Sequence, residues 1–322
     1  MSNATSKYPQ LSCDVAAFVA EVGKGDGPPL YTMSPVDARK VLLGAQSGGV
    51  PRPDADIMDV DIPIGPTGSI ELRVIRPCKA SGTLPGVFYF HGGGWILGDK
   101  TTHDRLVRTL AVRSNVTLIF VNYSPSPEVQ FPVPVEQAYA AVQYVAGHAA
   151  EFGVDPLRIA VAGDSVGGNM AAVVALMTKL RSGTPLAFQL LFYPVTAADF
   201  DTTSYIDFAD GPWLTRRAMQ WFWDAYCPDM VERDTIFASP LNADIDILAG
   251  LPPALVITAQ NDVLRDEGEA YAQKLMDAGN EVVSFRSNGI IHDFVLLDAL
   301  RDAPATQAAM ALAVEYLKRY LG

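Results

Sequence analysis

A serine, a histidine and a carboxylate can together carry out acyl transfer, and this chain holds all three beside the glycines such chemistry needs. Ser165 lies in Gly163-Asp164-Ser165-Val166-Gly167-Gly168, a G-x-S-x-G pattern. The pattern alone is weak evidence, and a Ser/Gly turn without chemistry would look the same. Its surroundings strengthen it: Arg158-Ile159-Ala160-Val161-Ala162 reads as a buried strand ending at Gly163, and Asn169-Met170-Ala171-Ala172 begins a good helix former. A strand, a tight turn of small residues and a helix are the parts of a nucleophile elbow. Side chains at Gly163 and Gly167 would collide with the backbone of such a turn. The helix that follows points its free N–H groups toward developing negative charge.

A second glycine cluster follows the apolar run Val87-Phe88-Tyr89-Phe90. His91-Gly92-Gly93-Gly94-Trp95 leaves backbone N–H groups unobstructed, so they can be aimed at a tetrahedral oxyanion. The expected donors are Gly92, Gly93 and Val166. His91 is expected to order the loop, and Trp95 to help wall the acyl pocket. A phosphate loop is excluded, because Asp99 stands after Gly98 where a P-loop needs lysine, and neither glycine region fits G-x-G-x-x-G.

Four histidines are present: His91, His103, His148 and His292. His103 and His148 fall within expected helices, where a solvated or packed ring is the plainer reading. His292 lies beyond the last expected strand, on a loop marked by Asn288-Gly289, and suits the general base that takes the serine proton. The orienting carboxylate should fall between nucleophile and base. Asp262, just past the run Ala254–Thr258, is the expected residue. Asp266 and Glu267 are rivals, but they open the next helix and suit capping and dipole roles. No H-E-x-x-H or Cys/His metal spacing occurs, so the expected mechanism is metal-independent and needs no cofactor.

The elements that would carry these residues alternate. Expected strands are Ile57–Ile62, Ile70–Ile75, Val87–Phe90, Val116–Val121, Ile159–Ala162, Ala187–Phe192, Ala254–Thr258 and Val282–Phe285. Expected helices lie near Thr102–Arg113, Val135–Glu151, Val166–Leu180, Asp266–Ala278 and Ala305–Leu321. Alternation of this kind reads as α/β with a mainly parallel, eight-stranded sheet. Two stretches break the rhythm. Residues 1–50 hold helices around Val15–Val22 and from about Ser34. Residues 196–250 carry Trp213, Trp221, Phe222 and Trp223, with an amphipathic helix expected from Leu214 to about Tyr226. Together these two stretches read as a cap over a core formed by 51–195 and 251–322, with Trp213 and Phe222 closing the pocket.

With 322 residues, 49% of them hydrophobic, the chain can bury a large core. Its net charge of −12 argues against nucleic acid and against anionic membranes. Apolar runs are too short for stable membrane insertion, and Met1–Gln10 is polar, unlike a signal peptide. Cys13, Cys78 and Cys227 are far apart and odd in number, which suits a reduced, cytoplasmic setting.

On these motifs the chain resembles the hormone-sensitive-lipase-like family of α/β-hydrolase esterases over nearly its whole length. The carriers are His91-Gly92-Gly93-Gly94-Trp95, Gly163–Gly168, Asp262-Val263-Leu264-Arg265-Asp266-Glu267-Gly268 and His292. Tyr123, Pro127-Glu128 and Phe131-Pro132 resemble the family's Y-R-L-A-P-E-x-x-F-P segment. Ser124-Pro125-Ser126 replaces the usual R-L-A, Val166 the usual alanine, and Asp293 a position where glycine is common. The resemblance implies a monomer or homodimer with a helical cap that hydrolyses small-molecule esters of short to medium acyl chains. An amidase or acetyl-group hydrolase would use the same triad. A ligand-binding member of the fold, such as the plant gibberellin receptors, lacks an intact triad, whereas Ser165, Asp262 and His292 are all present here.

Overall fold

A computed structural model describes Tyr8, residues 10–25 and residues 27–322. Most of the polar opening stretch, 1–7, lies outside the described residues. The N-terminal segment forms α1 (Cys13–Val22) and α2 (Pro35–Ala45), the latter capped by the Ser34 side chain with proline at its first position. The alternating part follows: β1 (Ala55–Ile62), β2 (Ile70–Pro77), β3 (Leu84–Phe90), α3 (Asp104–Ser114), β4 (Thr117–Asn122), α4 (Val133–Gly147), β5 (Val154–Asp164), α5 (Val166–Leu180) and β6 (Phe188–Phe192). Four helices then interrupt the rhythm: α6 (Thr203–Asp207), α7 (Arg216–Tyr226), α8 (Met230–Arg233) and α9 (Ile245–Leu248). The chain ends with β7 (Ala254–Asn261), α10 (Arg265–Asp277), β8 (Val282–Ile291) and α11 (Pro304–Leu321).

The eight strands form one sheet in the order β1-β2-β4-β3-β5-β6-β7-β8. β2 runs antiparallel to both β1 and β4, and every other neighbour is parallel. Central strands are apolar without alternation, as in Phe88–Phe90 and Ile159–Ala162, because helices cover both faces. Right-handed crossovers determine which helix covers which face. The step from β3 to β4 runs one way along the sheet, while β4 to β5, β5 to β6 and β7 to β8 run the other. Thus α3 lies on one face, where α11 packs against it, and α4, α5 and α10 lie on the opposite one. Strand order reverses around β3 and β5, and the carboxyl ends of strands at such a reversal are where open α/β sheets bind ligands.

Strand and helix limits differ from the sequence expectation at a few ends. β8 does not stop at Phe285 but continues through Asn288-Gly289 to Ile291. Gly289, at φ +72°, accommodates the accompanying register shift against β7. His292 therefore follows the strand end directly instead of sitting on a separate loop. α7 starts at Arg216, capped by Thr215, so Leu214 precedes it. Its inner face buries Ala218, Met219, Phe222, Trp223 and Tyr226, the i, i+4, i+8 stripe of an amphipathic helix.

Candidate active site

The elbow at Ser165 follows from its glycines. Ser165 has φ +55° and ψ −120°, a sparsely populated backbone region for a residue with a side chain. Its N–H bonds Phe192 O on β6 at 2.9 Å. A Cβ on Gly163 would overlap the Gly167 carbonyl, and one on Gly167 would overlap Phe90 O, so only glycine lets β5, β3 and α5 approach this closely. Ser165 thereby projects from the end of β5 at the N-terminus of α5.

His292 follows β8 and Asp262 follows β7, and these adjacent strand ends bring both residues to Ser165. His292 Nε2 lies 3.0 Å from Ser165 Oγ, and His292 Nδ1 lies 2.6 Å from Asp262 Oδ2. All three side chains are buried. Asp262 Oδ1 accepts the Leu264 N–H at 3.0 Å, which fixes the carboxylate plane. Asn261 Nδ2 donates to Ile290 O at 3.0 Å, tying the two strand ends together. Burial alone would depress the His292 imidazolium. The charges of Asp262 and Asp293 and the Asp262 hydrogen bond outweigh it and hold the pKa up at about 9. A serine hydroxyl, an imidazole and a buried carboxylate in this chain can move a proton from oxygen to nitrogen and back.

Opposite the serine runs the glycine loop after β3. His91 is stacked on Tyr123 with ring centroids 4.1 Å apart, its Nδ1 donates to Gly92 O at 2.9 Å, and its own carbonyl accepts the Tyr123 hydroxyl. Burial, then the neighbouring His103, lowers its pKa to about 4, so it is a neutral strut at physiological pH. Gly93 and Gly94, at φ +106° and +64°, face a cavity of about 510 Å³ that also exposes Ser165 and His292. That volume is in the range of small-molecule sites. Its walls are largely apolar: Phe18 and Val19 from α1, Leu42 from α2, Leu97, and Trp213, Leu214, Ala218 and Phe222 from the segment between β6 and β7. The Phe222 ring occupies the place a Cβ on Gly94 would take, so the glycine lets α7 press onto the loop.

The model of the alpha/beta hydrolase fold family matches residues 87–296, a span that takes in the glycine loop, the elbow, Asp262 and His292. The chain belongs to the hormone-sensitive-lipase-like family of α/β-hydrolase esterases. This esterase is 41% identical to the carboxylesterase NlhH of Mycobacterium tuberculosis across 78% of this chain and 79% of that one. It is 38% identical to the esterase LipI of the same organism across 76% of each. The crystal structure of a thermostable esterase from Pseudomonas putida superposes with a TM-score of 0.96 at 51% identity, covering 98% of each chain. The protein is a carboxylic ester hydrolase.

Three expectations for the esterase need correction. Gly92 does not offer its N–H to the cavity: it donates to Asp164 Oδ1 at 3.0 Å. Asp164 is fully buried and also accepts the Tyr89 hydroxyl at 2.7 Å, with His103 Nε2 3.4 Å from its other oxygen. Trp95 does not wall the pocket, because Trp223 and Tyr226 of α7 cover it. Its ring stacks on Tyr226 at 3.9 Å and meets Trp223 edge-on at 4.9 Å. Asp266 and Glu267 do not cap α10. Asp266 accepts the Ser204 N–H at 2.7 Å and bonds Arg265, while buried Glu267 accepts the Thr196 N–H at 2.6 Å. Both hold the intervening segment to the core, and neither touches His292.

Trp213 and Phe222 do line the cavity. His103 sits just ahead of α3, fully buried, and His148 at the end of α4, stacked on Tyr144. One anchoring residue was missed from sequence. Arg39 of α2 pairs with Glu128 through both nitrogens, at 2.8 and 2.7 Å, and its Nε donates to Ile96 O. It clamps the N-terminal segment onto the end of the glycine loop and the segment between β4 and α4. An arginine at helical spacing from nothing charged gives no local sign of this. Among the described residues no cluster of His, Cys, Asp or Glu could hold a metal ion, and no helix is long and apolar enough to cross a membrane.

Proposed function

We propose that this esterase hydrolyses small-molecule esters of short to medium acyl chains through a covalent acyl-enzyme on Ser165. The unbroken hydrogen-bond path from Ser165 through His292 to Asp262 carries this reading. His292 takes the hydroxyl proton as Ser165 Oγ attacks the carbonyl, and Asp262 holds the imidazole in the tautomer that leaves Nε2 free to accept. The N–H groups of Gly93, Gly94 and Val166 receive the oxyanion, Gly94 standing in for the occupied Gly92. Collapse expels the alcohol with the proton from His292, and water then attacks the acyl carbon by the same route.

The pH dependence follows from the base. A pKa of about 9 leaves His292 protonated at neutral pH, and only the neutral ring can accept the serine proton. The expected result is that kcat/KM for an uncharged ester climbs with pH and levels off above about 9. A plateau beginning near pH 6 would overturn the assignment of that value to the working base.

The walls support the acyl-length reading. On this reading the described residues of 1–50, together with 196–250, which both contribute walls to the cavity, serve as a cap, and Trp213 and Phe222 limit the depth available to the acyl chain. Filling such a pocket contributes about 0.8 kcal/mol per buried CH₂. Measured on a series of chromogenic esters, kcat/KM should therefore rise with chain length and then collapse where the chain meets the cap. Trp213→Ala or Phe222→Ala should move that break to longer chains. If both variants keep the wild-type length profile and only melt earlier, the rings are packing and the depth limit lies elsewhere.

A further inference from the structure

Asp293 follows the base at φ +62°, a left-handed conformation that aspartate tolerates better than most residues. Its two oxygens have different surroundings. Oδ2 accepts the indole N–H of Trp213 at 2.8 Å. Oδ1 has no hydrogen-bond partner among the described residues and lies 3.3 Å from His292 Nε2, the nitrogen that also meets Ser165 Oγ. Three other groups surround His292: Asp262 on its far nitrogen, Asp164 beyond Ser165, and the Tyr193 ring at 4.7 Å. Among the described carboxylates, Asp293 is the one that approaches Nε2. Trp213 belongs to the segment between β6 and β7, is itself at φ +71°, and rests against Phe18 of α1 with centroids 5.6 Å apart.

We propose that Trp213 is a positioning residue that couples the seating of the cap to the base, by occupying the Asp293 carboxylate and so leaving His292 Nε2 available to Ser165. The inference rests on reading His292 as the base. Nε2 has two acceptors to choose between once protonated, the serine oxygen and Asp293 Oδ1. An indole N–H on the carboxylate draws its charge toward Oδ2 and weakens Oδ1 as a competitor. When the cap lifts and takes Trp213 with it, Asp293 binds the imidazolium more strongly, and the base is slower to return to its neutral form. A seated cap, the state in which the pocket is closed around an acyl chain, is thus the state with the more effective base.

The test compares pH profiles of kcat/KM for one uncharged ester, alongside NMR titration of the His292 ring, which needs no turnover. Trp213→Phe keeps an aromatic ring toward Phe18 while removing the N–H. The smaller ring also enlarges the pocket, which the ring titration of His292, read without substrate, does not register. This variant should move the acid limb and the ring titration upward by about half a pH unit. Asp293→Asn, with a side chain that suits the left-handed backbone, should move both downward by about one unit, as loss of a nearby opposite charge does. In the double variant the Trp213 change should have no further effect, because its only route is through the carboxylate. Trp213→Leu serves as a second removal of the N–H if the phenylalanine variant does not fold. An unmoved titration in both Trp213 variants overturns the coupling, as does an additive double variant. Fluorophosphonate labelling of Ser165 separates the two levels: a label elsewhere sinks the reading of the base itself, whereas a labelled Ser165 with an unmoved titration sinks only the role of Trp213.

Discussion

Ser165→Ala is expected to cut ester turnover by on the order of 10⁴-fold or more, as removal of the nucleophile does in unrelated triad enzymes. The Ser165 hydroxyl lies 3.0 Å from His292 Nε2. Alanine retains the Cβ, so the crowded turn between Gly163 and Gly167 is left as it was. Loss of activity with an unchanged melting temperature then reports chemistry and not folding. A fluorophosphonate should label wild-type protein at Ser165 and leave the variant unlabelled. Residual catalysis over water is expected, since Gly93, Gly94 and Val166 would still bind the oxyanion. Substantial turnover by a folded Ser165→Ala protein would mean that another group attacks the ester.

Asp262→Asn should be nearly as damaging, with a loss of about 10⁴-fold. The amide presents an N–H to His292 Nδ1 across the present 2.6 Å contact, which forces the ring proton onto Nε2. The ring then faces Ser165 as a donor and cannot take its proton. The shape of the side chain is conserved, and the amide oxygen, at the place of Oδ1, can still accept the Leu264 N–H, so the fold should survive. Asp266→Asn supplies the contrast: that carboxylate serves Ser204 and Arg265, and its loss should cost about 1–2 kcal/mol of stability while turnover persists. Were the two activities reversed, the orienting role would pass to Asp266.

Why these two residues were legible in the sequence, and others were not, has a physical basis. Ser165, Asp262 and His292 each sit at a strand end, where local patterns of apolar residues, glycines and polar residues coincide within a few positions. The glycines of the loop were equally visible, but their division of labour was not. Whether an N–H is free depends on where distant groups point, and Asp164, which takes that of Gly92, comes from another strand. Trp95 failed for a similar reason: aromaticity beside the motif suggested a pocket wall, while Tyr226 and Trp223, more than a hundred residues on, decide that it is covered. The run of β8 through Gly289 was missed because a glycine with positive φ looks like a loop when its neighbouring strand is unknown. The amphipathic stripe of α7 could be read from spacing alone, since one helix face is a local property.

The groups of the site hang from the ends of β3, β5, β7 and β8, and the last of them, His292, falls in the final tenth of the chain. During synthesis, the glycine loop and the serine elbow leave the ribosome long before β8 can join the edge of the sheet. Until then the serine has neither its base nor the orienting carboxylate set against it. On the proposed mechanism, a chain that stops short of β8 is expected to carry an ordinary hydroxyl in place of a reactive one, with hydrolysis waiting for the edge strand. Turnover should therefore report the docking of an edge strand formed late in the chain, and not the earlier parts of the sheet alone.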